Sequence, residues 1–258
     1  MVPTAGKAFM SIRLKLFATP LLVVAGYSSA ASPDPLDRVS EAQNVFSFPK
    51  PDPAAKDEVF EHDLIMPLGF SRNGRLAYLH KSPRDETENN LTLIVVDLSH
   101  DKVVFAKSFV NRDRKLADLD PKVRKEWGAT LKTYSIEPQI DIEGRGLPFS
   151  HGSDKFDVVI RHLKDDPKQM VSMFEVRLTS VNLGEKVIGR VTLETSDRVG
   201  SLHAVTVLLS PHEPRVALIL GYYRRSMGMT YSDGANPVVL GARLDTGFKR
   251  VPAPTNKK

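Results

Sequence analysis

The sequence predicts a mainly β protein: blade-like four-stranded antiparallel meanders, arranged as a partial propeller or a sandwich, with one inserted amphipathic helix. Three observations carry that reading. Short runs rich in β-branched residues, several alternating apolar with polar, recur from about residue 58 onward, as strands require. Turn chemistry separates them at Asn73-Gly74, Ser99 to Lys102, Asn182-Leu183-Gly184 and Asp245-Thr246-Gly247. The stretch Leu68 to Val110 is then echoed twice, each time over the roughly forty residues that one four-stranded blade needs.

The chain opens with Lys7, Arg13 and Lys15, an apolar run from Leu16 to Tyr27, and the small residues Ser28-Ser29-Ala30-Ala31. A charged segment, a short apolar core and a small-residue cleavage site are the parts of a secretory signal peptide, so residues 1–31 are expected to be removed on export. Met1 and Met10 are alternative initiators, the second giving the more compact signal. There is no cysteine, hence no disulfide, no thiolate chemistry and no lipid-anchored cysteine after the signal. The expected location is therefore secreted or periplasmic, without lipoprotein processing and with no transmembrane segment after the signal. Three of the 36 basic residues and none of the 31 acidic ones lie in residues 1–31, so the remainder is nearly balanced. That argues against a nucleic-acid reader, which needs a clustered basic face.

Residues 32–57 carry Pro33, Pro35, Pro49, Pro51 and Pro53 and read as an extended linker, with Val45 to Phe48 able to add a short edge strand. The β domain is expected over 58–250, followed by a polar tail at 251–258. Its first unit is 68–110. There Asn73-Gly74 predicts a two-residue type I′ hairpin loop, since both residues tolerate positive φ. Leu91 to Leu98 and Val103 to Val110 supply the next two strands.

The run GFSRNGRLAYLH followed by LIVVDLSHDK resembles the blade pattern of secreted bacterial propeller-like proteins: an FSxDG-type turn, a strand, then a VVDL strand. It is similar, more narrowly, to secreted bacterial proteins of unknown function that open with GFSxDGRxxAY, and distantly to TolB-like periplasmic proteins. The resemblance implies secretion and β architecture. It implies no catalytic residue, because propellers host many unrelated functions.

A helix is expected over about 114–134. Asp120 is a good N-cap with Pro121 at the first helical position. Leu116, Leu119, Val123, Trp127, Leu131 and Tyr134 fall at steps of three and four. Such a helix either packs on a sheet with a solvated charged back or meets a partner or an anionic membrane. The second unit, 154–194, begins with Phe156 to Leu163, with Phe156, Val158 and Ile160 on one face, and turns at Lys164 to Lys168. The third, 203–249, contains LLSPHEPRVALIL, where Ser210, Arg215 and Ala217 stand in the places of Ser71, Arg75 and Ala77.

Two segments are candidates for function. Tyr222 to Asn236 reads as a long loop between strong strands, and its Tyr222, Tyr223, Arg224, Arg225 and Tyr231 are the residue types that anchor binding sites. Ser150, His151, Ser153 and Asp154 put hydroxyl, imidazole and carboxylate within five residues, which allows a hydrolase reading or simply a polar loop. No metal is expected: the seven histidines include no HxH or HxxxH pair, and the Asp pairs lack a calcium-loop pattern. No cofactor is expected either, since Gly144-Arg145-Gly146 lacks the strand-to-helix context of a phosphate cradle. The expected function is a non-enzymatic binding module for a protein or other envelope component. The alternatives are the hydrolase and a purely structural envelope protein.

Overall fold

The computed structural model describes residues 44–46, 63–81, 90–110, 120–139, 142–166, 171–194, 199–224 and 234–250. The chain is mainly β, built of antiparallel meanders with one helix, and no sheet closes into a barrel among these residues.

The first meander is β1 (Leu64–Ser71), β2 (Arg75–Lys81), β3 (Asn90–Asp97) and β4 (Lys102–Val110). Its first turn differs from the type I′ expectation. Only Gly74 takes a positive φ (79°), and Asn73 does not. The Gly74 N–H donates to Ser71 O at 3.3 Å, the Ser71 hydroxyl donates to Asn73 Oδ1, and the Arg75 N–H donates to Ser71 Oγ. With the serine side chain standing in for part of the ladder, a three-residue loop with a single left-handed glycine suffices.

The helix α1 (Pro121–Thr133) follows, with the Asp120 side chain accepting the Lys122 N–H at 2.7 Å. Leu116 and Leu119 of the expected helix lie outside the described residues. Trp127 and Leu131 are buried against β1–β4, and Trp127 meets Phe109 edge-to-face at 5.5 Å. Lys122, Lys125 and Lys132 face outward. The helix is thus sheet-packed with a solvated basic back. No helix among the described residues is long and apolar enough to cross a membrane.

β5 (Ile136–Pro138) then joins the other side of β1, giving the sheet order β4-β3-β2-β1-β5. The second sheet is β6 (Phe149–His151), β7 (Asp154–Asp166), β8 (Val171–Ser180) and β9 (Gly184–Glu194), in that order. It takes its fourth strand from 149–151, ahead of the expected unit. β7 also runs through the expected turn as far as Asp166, with 167–170 outside the described residues. The strand continues because Lys164 pairs with Met173 and Asp165 with Ser172, beyond a bulge after His162.

That end carries a titration prediction. Hydrogen bonds from the Ser172 hydroxyl, first, and from His162 hold the Asp165 carboxyl below its ordinary value. A depressed folded pKa contributes stability above the unfolded pKa and loses it as pH falls through the folded one. Ser172→Ala is expected to move the Asp165 midpoint upward in an NMR carboxyl titration. An unmoved midpoint would show that the hydroxyl does not hold it.

The third sheet has three strands: β10 (Val199–Leu209), β11 (Arg215–Arg224) and β12 (Gly234–Arg243), in that order. It is the middle layer. Val216, Leu218 and Leu220 of β11 pack with Phe156, Val176 and Leu178 of the β6–β9 sheet. Ala217 and Ile219 point the other way, onto Phe70, Leu76 and Tyr78 of the β1–β5 sheet. The layers are therefore α1, the five-stranded sheet, the three-stranded sheet and the four-stranded sheet. One outer face of the stack lies under a helix. The far face of β6–β9 is not covered by any described element.

Phe46, from the segment expected to be a linker, is fully buried between the five- and three-stranded sheets. The Val45 N–H donates to Ile65 O at 3.0 Å, and Asn44 Oδ1 accepts from Ile65 N at 2.9 Å and Phe46 N at 3.1 Å.

Candidate functional site

β11 carries the first three candidate binding residues, and the expected loop is shorter than its sequence suggests. Tyr222 pairs with Asn236, Tyr223 with Ala235 and Arg224 with Gly234, so the hairpin ladder continues into the segment. Tyrosines favour strands, and each added pair extends an already buried ladder. Arg225 and Tyr231 lie outside the described residues. The Tyr222 side chain is half-buried and packs at the edge of the core between the three- and four-stranded sheets.

Beside it is a cleft of about 380 Å³, where the outer edge of β9 meets the outer edge of β12. Its walls include Asp101, Arg190, Thr192, Tyr222, Pro237 and Leu240. The two strands approach closely because Gly189 has no side chain: a Cβ there would meet Leu240 at 3.0 Å. Arg190 is largely exposed, with its guanidinium 3.4 Å from Glu175 Oε2. The β12 edge is closed to strand addition at two points. Asp101 Oδ1 accepts the Gly241 N–H at 2.5 Å, and Pro237, four residues earlier on the same edge, has no N–H to give. Along that wall a ligand is consequently read by side chains rather than by backbone ladder. The volume suits a small group or one projecting side chain or sugar. The lining combines an aromatic ring, an aliphatic floor and the edge of β9.

Ser150, His151, Ser153 and Asp154 form one tight hairpin between β6 and β7. His151 and Asp154 are the closing pair, and Gly152 supplies φ 61° at the first loop position, with Ser153 second. That is type II′ geometry. Ser150 and His151 are consecutive on β6 and so point to opposite faces. The Asp154 carboxylate accepts from Asn182 Nδ2 at 2.8 Å rather than from an imidazole. A serine nucleophile needs a base within hydrogen-bond reach, and the described contacts include none between these side chains. Chain reversal accounts for the cluster: polar residues sit in a tight turn that fixes β6 on β7.

Four of the described histidines lie beside a carboxylate, among them His212, whose Nε2 is 3.6 Å from Glu137 Oε2. His80 Nε2 lies 2.8 Å from the buried Asp63, His100 Nδ1 3.0 Å from Asp97, and His162 Nε2 2.8 Å from Asp165. No group of three metal-ligating side chains gathers among the described residues.

Sequence reasoning missed Asp101 and Arg190. Asp101 lies in a turn and Arg190 in a strand of another sheet, and only the stacking of sheets brings them to Tyr222. No family model matches the chain, and no curated protein or solved structure matches it.

Proposed function

We propose that this protein is an exported, non-catalytic binding module for a component of the cell envelope, and that it engages that component at the Tyr222 end of β11. The observation that carries the reading is the cleft: Tyr222 stands at the end of a strand covered on both faces, beside Arg190 and an aliphatic floor. A rigid scaffold that offers a tyrosine at a concave rim gives affinity at low ordering cost. Export rests on the signal-like residues 1–31, and the kinship with secreted propeller-like proteins rests on GFSRNGRLAY and VVDL. The nearly balanced charge of the remaining chain favours a protein or glycan over a nucleic acid.

The test is a cross-linked envelope pull-down with Tyr222, Tyr223, Arg224 and Arg225 replaced together by alanine. Recovery of partners is expected to fall about tenfold or more, the scale of losing a hot-spot cluster, while a melting curve shows the domain still folded. Unchanged recovery with intact folding would refute the site.

A further inference from the structure

The cleft beside Tyr222 has two unlike walls. On β12 the outward N–H of Gly241 is taken by Asp101, and Pro237 has none to give, two of the ways in which a sheet edge is kept from pairing. On β9 only one end of the edge is occupied. The Glu185 N–H donates to Lys249 O at 3.0 Å and the Lys249 N–H donates to Glu185 O at 2.8 Å, so a segment of the same chain already lies antiparallel there. Those two bonds also fix which way each residue of β9 faces. Glu185 turns its N–H and C=O away from β8, so its neighbour Lys186 is the one that bonds Leu178 of β8. Every second residue of β8 from there, Val176, Phe174 and Ser172, bonds β9 at Gly189, Val191 and Leu193, with Ile188 taken up by a bulge. Arg190 and Thr192 are left with N–H and C=O turned outward, and these groups have no partner among the described residues. The Arg190 guanidinium leans back over β8 to Glu175, 3.4 Å away, which leaves the edge clear.

We infer that the β9 edge at Arg190 and Thr192 receives an extended polypeptide segment of the partner, which adds as a further strand to the β6–β9 sheet. This rests on the reading of the Tyr222 cleft as the binding site, and it names the partner there as a protein. A peptide backbone presents N–H and C=O on one side at every second residue, about 6.8 Å apart, the repeat at which β9 offers its own. Val191 and Leu193 point into the core, so every second side chain of the added strand points the same way, into the mouth between the three- and four-stranded sheets. Tyr222, Val238 and Leu240 line that mouth, a space of about 380 Å³. The segment therefore carries apolar residues at alternate positions. A glycan meets neither condition, having no such ladder and no apolar side chain to seat on Val238 and Leu240. β7 beyond Phe156 also has an open edge among the described residues, but there Arg161, Lys164, Asp165 and Asp166 supply the charges that discourage pairing.

The test is selection from a display library of linear peptides against the full chain, then amide hydrogen exchange with and without a selected peptide. Enriched peptides are expected to alternate apolar with polar residues and to slow exchange of the Arg190 and Thr192 amides about tenfold or more. Thr192→Pro removes an outward N–H at an edge position that tolerates proline, and is expected to weaken peptide binding about tenfold or more. Thr192→Val keeps the N–H and the branched shape, and is expected to bind within about threefold of the native chain. Failure to enrich any peptide overturns the inference. So do peptides that bind Thr192→Pro as well as the native chain, or that leave both amides exchanging as before. Equal loss in both Thr192 variants would assign recognition to the side chain and would likewise overturn strand addition. Should Thr192→Pro not fold, exchange in the native chain decides alone. The two readings fail separately. Protected amides with unchanged envelope recovery in the alanine replacements refute the Tyr222 site, whereas lost recovery without peptide enrichment refutes strand addition.

Discussion

Replacing Gly241 by alanine is expected to destabilise the domain by about 3 kcal/mol or more, the upper range for forcing atoms into a filled interior. A Cβ on Gly241 would land on the carbonyl oxygen of Leu98, far inside contact distance, with the Leu98 side chain beside it. Backbone would meet backbone there, so no side-chain rotation can relieve the clash. The same Leu98 carbonyl accepts from the buried Arg215 guanidinium at 3.0 Å, while Arg215 Nε donates to Glu213 at 2.7 Å. Pushing the carbonyl away strips a partner from a buried charge, which adds to the loss. For a domain of this size the melting midpoint is expected to fall by about 6 to 12 °C. Gly128→Ala is the matched control. It lies in α1 with nothing within 4 Å of the added atom, and is expected to be stabilising by up to about 1 kcal/mol through helix propensity. Opposite signs for one chemical change would show that the close approach of β12 to the β3–β4 turn, and not glycine loss itself, sets the effect.

Phe46→Ala is expected to destabilise by about 3 to 5 kcal/mol, the range for emptying a fully buried aromatic site. Its ring fills space between Ile65, Phe70 and Tyr78 on one sheet and Ala217 and Ile219 on the next. Chemical denaturation should show a lower midpoint with an unchanged slope, since the surface exposed on unfolding barely changes. A variant that unfolds with the native chain would mean that residues 44–46 are not part of the core. Deletion through residue 47 is expected to be at least as harmful, because it also removes the Asn44 and Val45 bonds to Ile65.

The strands were legible where their surroundings are simple. β7, DKFDVVIRHLKDD, alternates from Phe156 to Ile160 because one of its faces is solvated, whereas the bulge after His162 and the continuation to Asp166 leave no mark in the pattern. β11, RVALILGYYR, is an unbroken apolar run because it is covered on both sides. That run marks the middle layer of the stack, but it does not reveal which sheets lie above and below. In β2 Leu76, Ala77, Tyr78 and Leu79 are all buried, since the helix covers one face and the three-stranded sheet the other. Phe46 was hidden among prolines: a single inserted side chain has no periodicity to betray it. Helix α1 was readable from its cap and spacing because both are local. The site was only half legible. Tyr222 and its neighbours stood out by residue type, whereas Arg190 and Asp101 join them through contacts between sheets, which no local pattern encodes.

The most direct test of the proposed function is photo-crosslinking from the cleft in living cells, with Tyr222 replaced by the similarly shaped p-benzoylphenylalanine. The account predicts a discrete covalent adduct to an envelope component from position 222, and none from the same probe at the solvent-facing Lys122 on α1. No adduct from position 222 while the variant accumulates normally, or equal adducts from both positions, would contradict it.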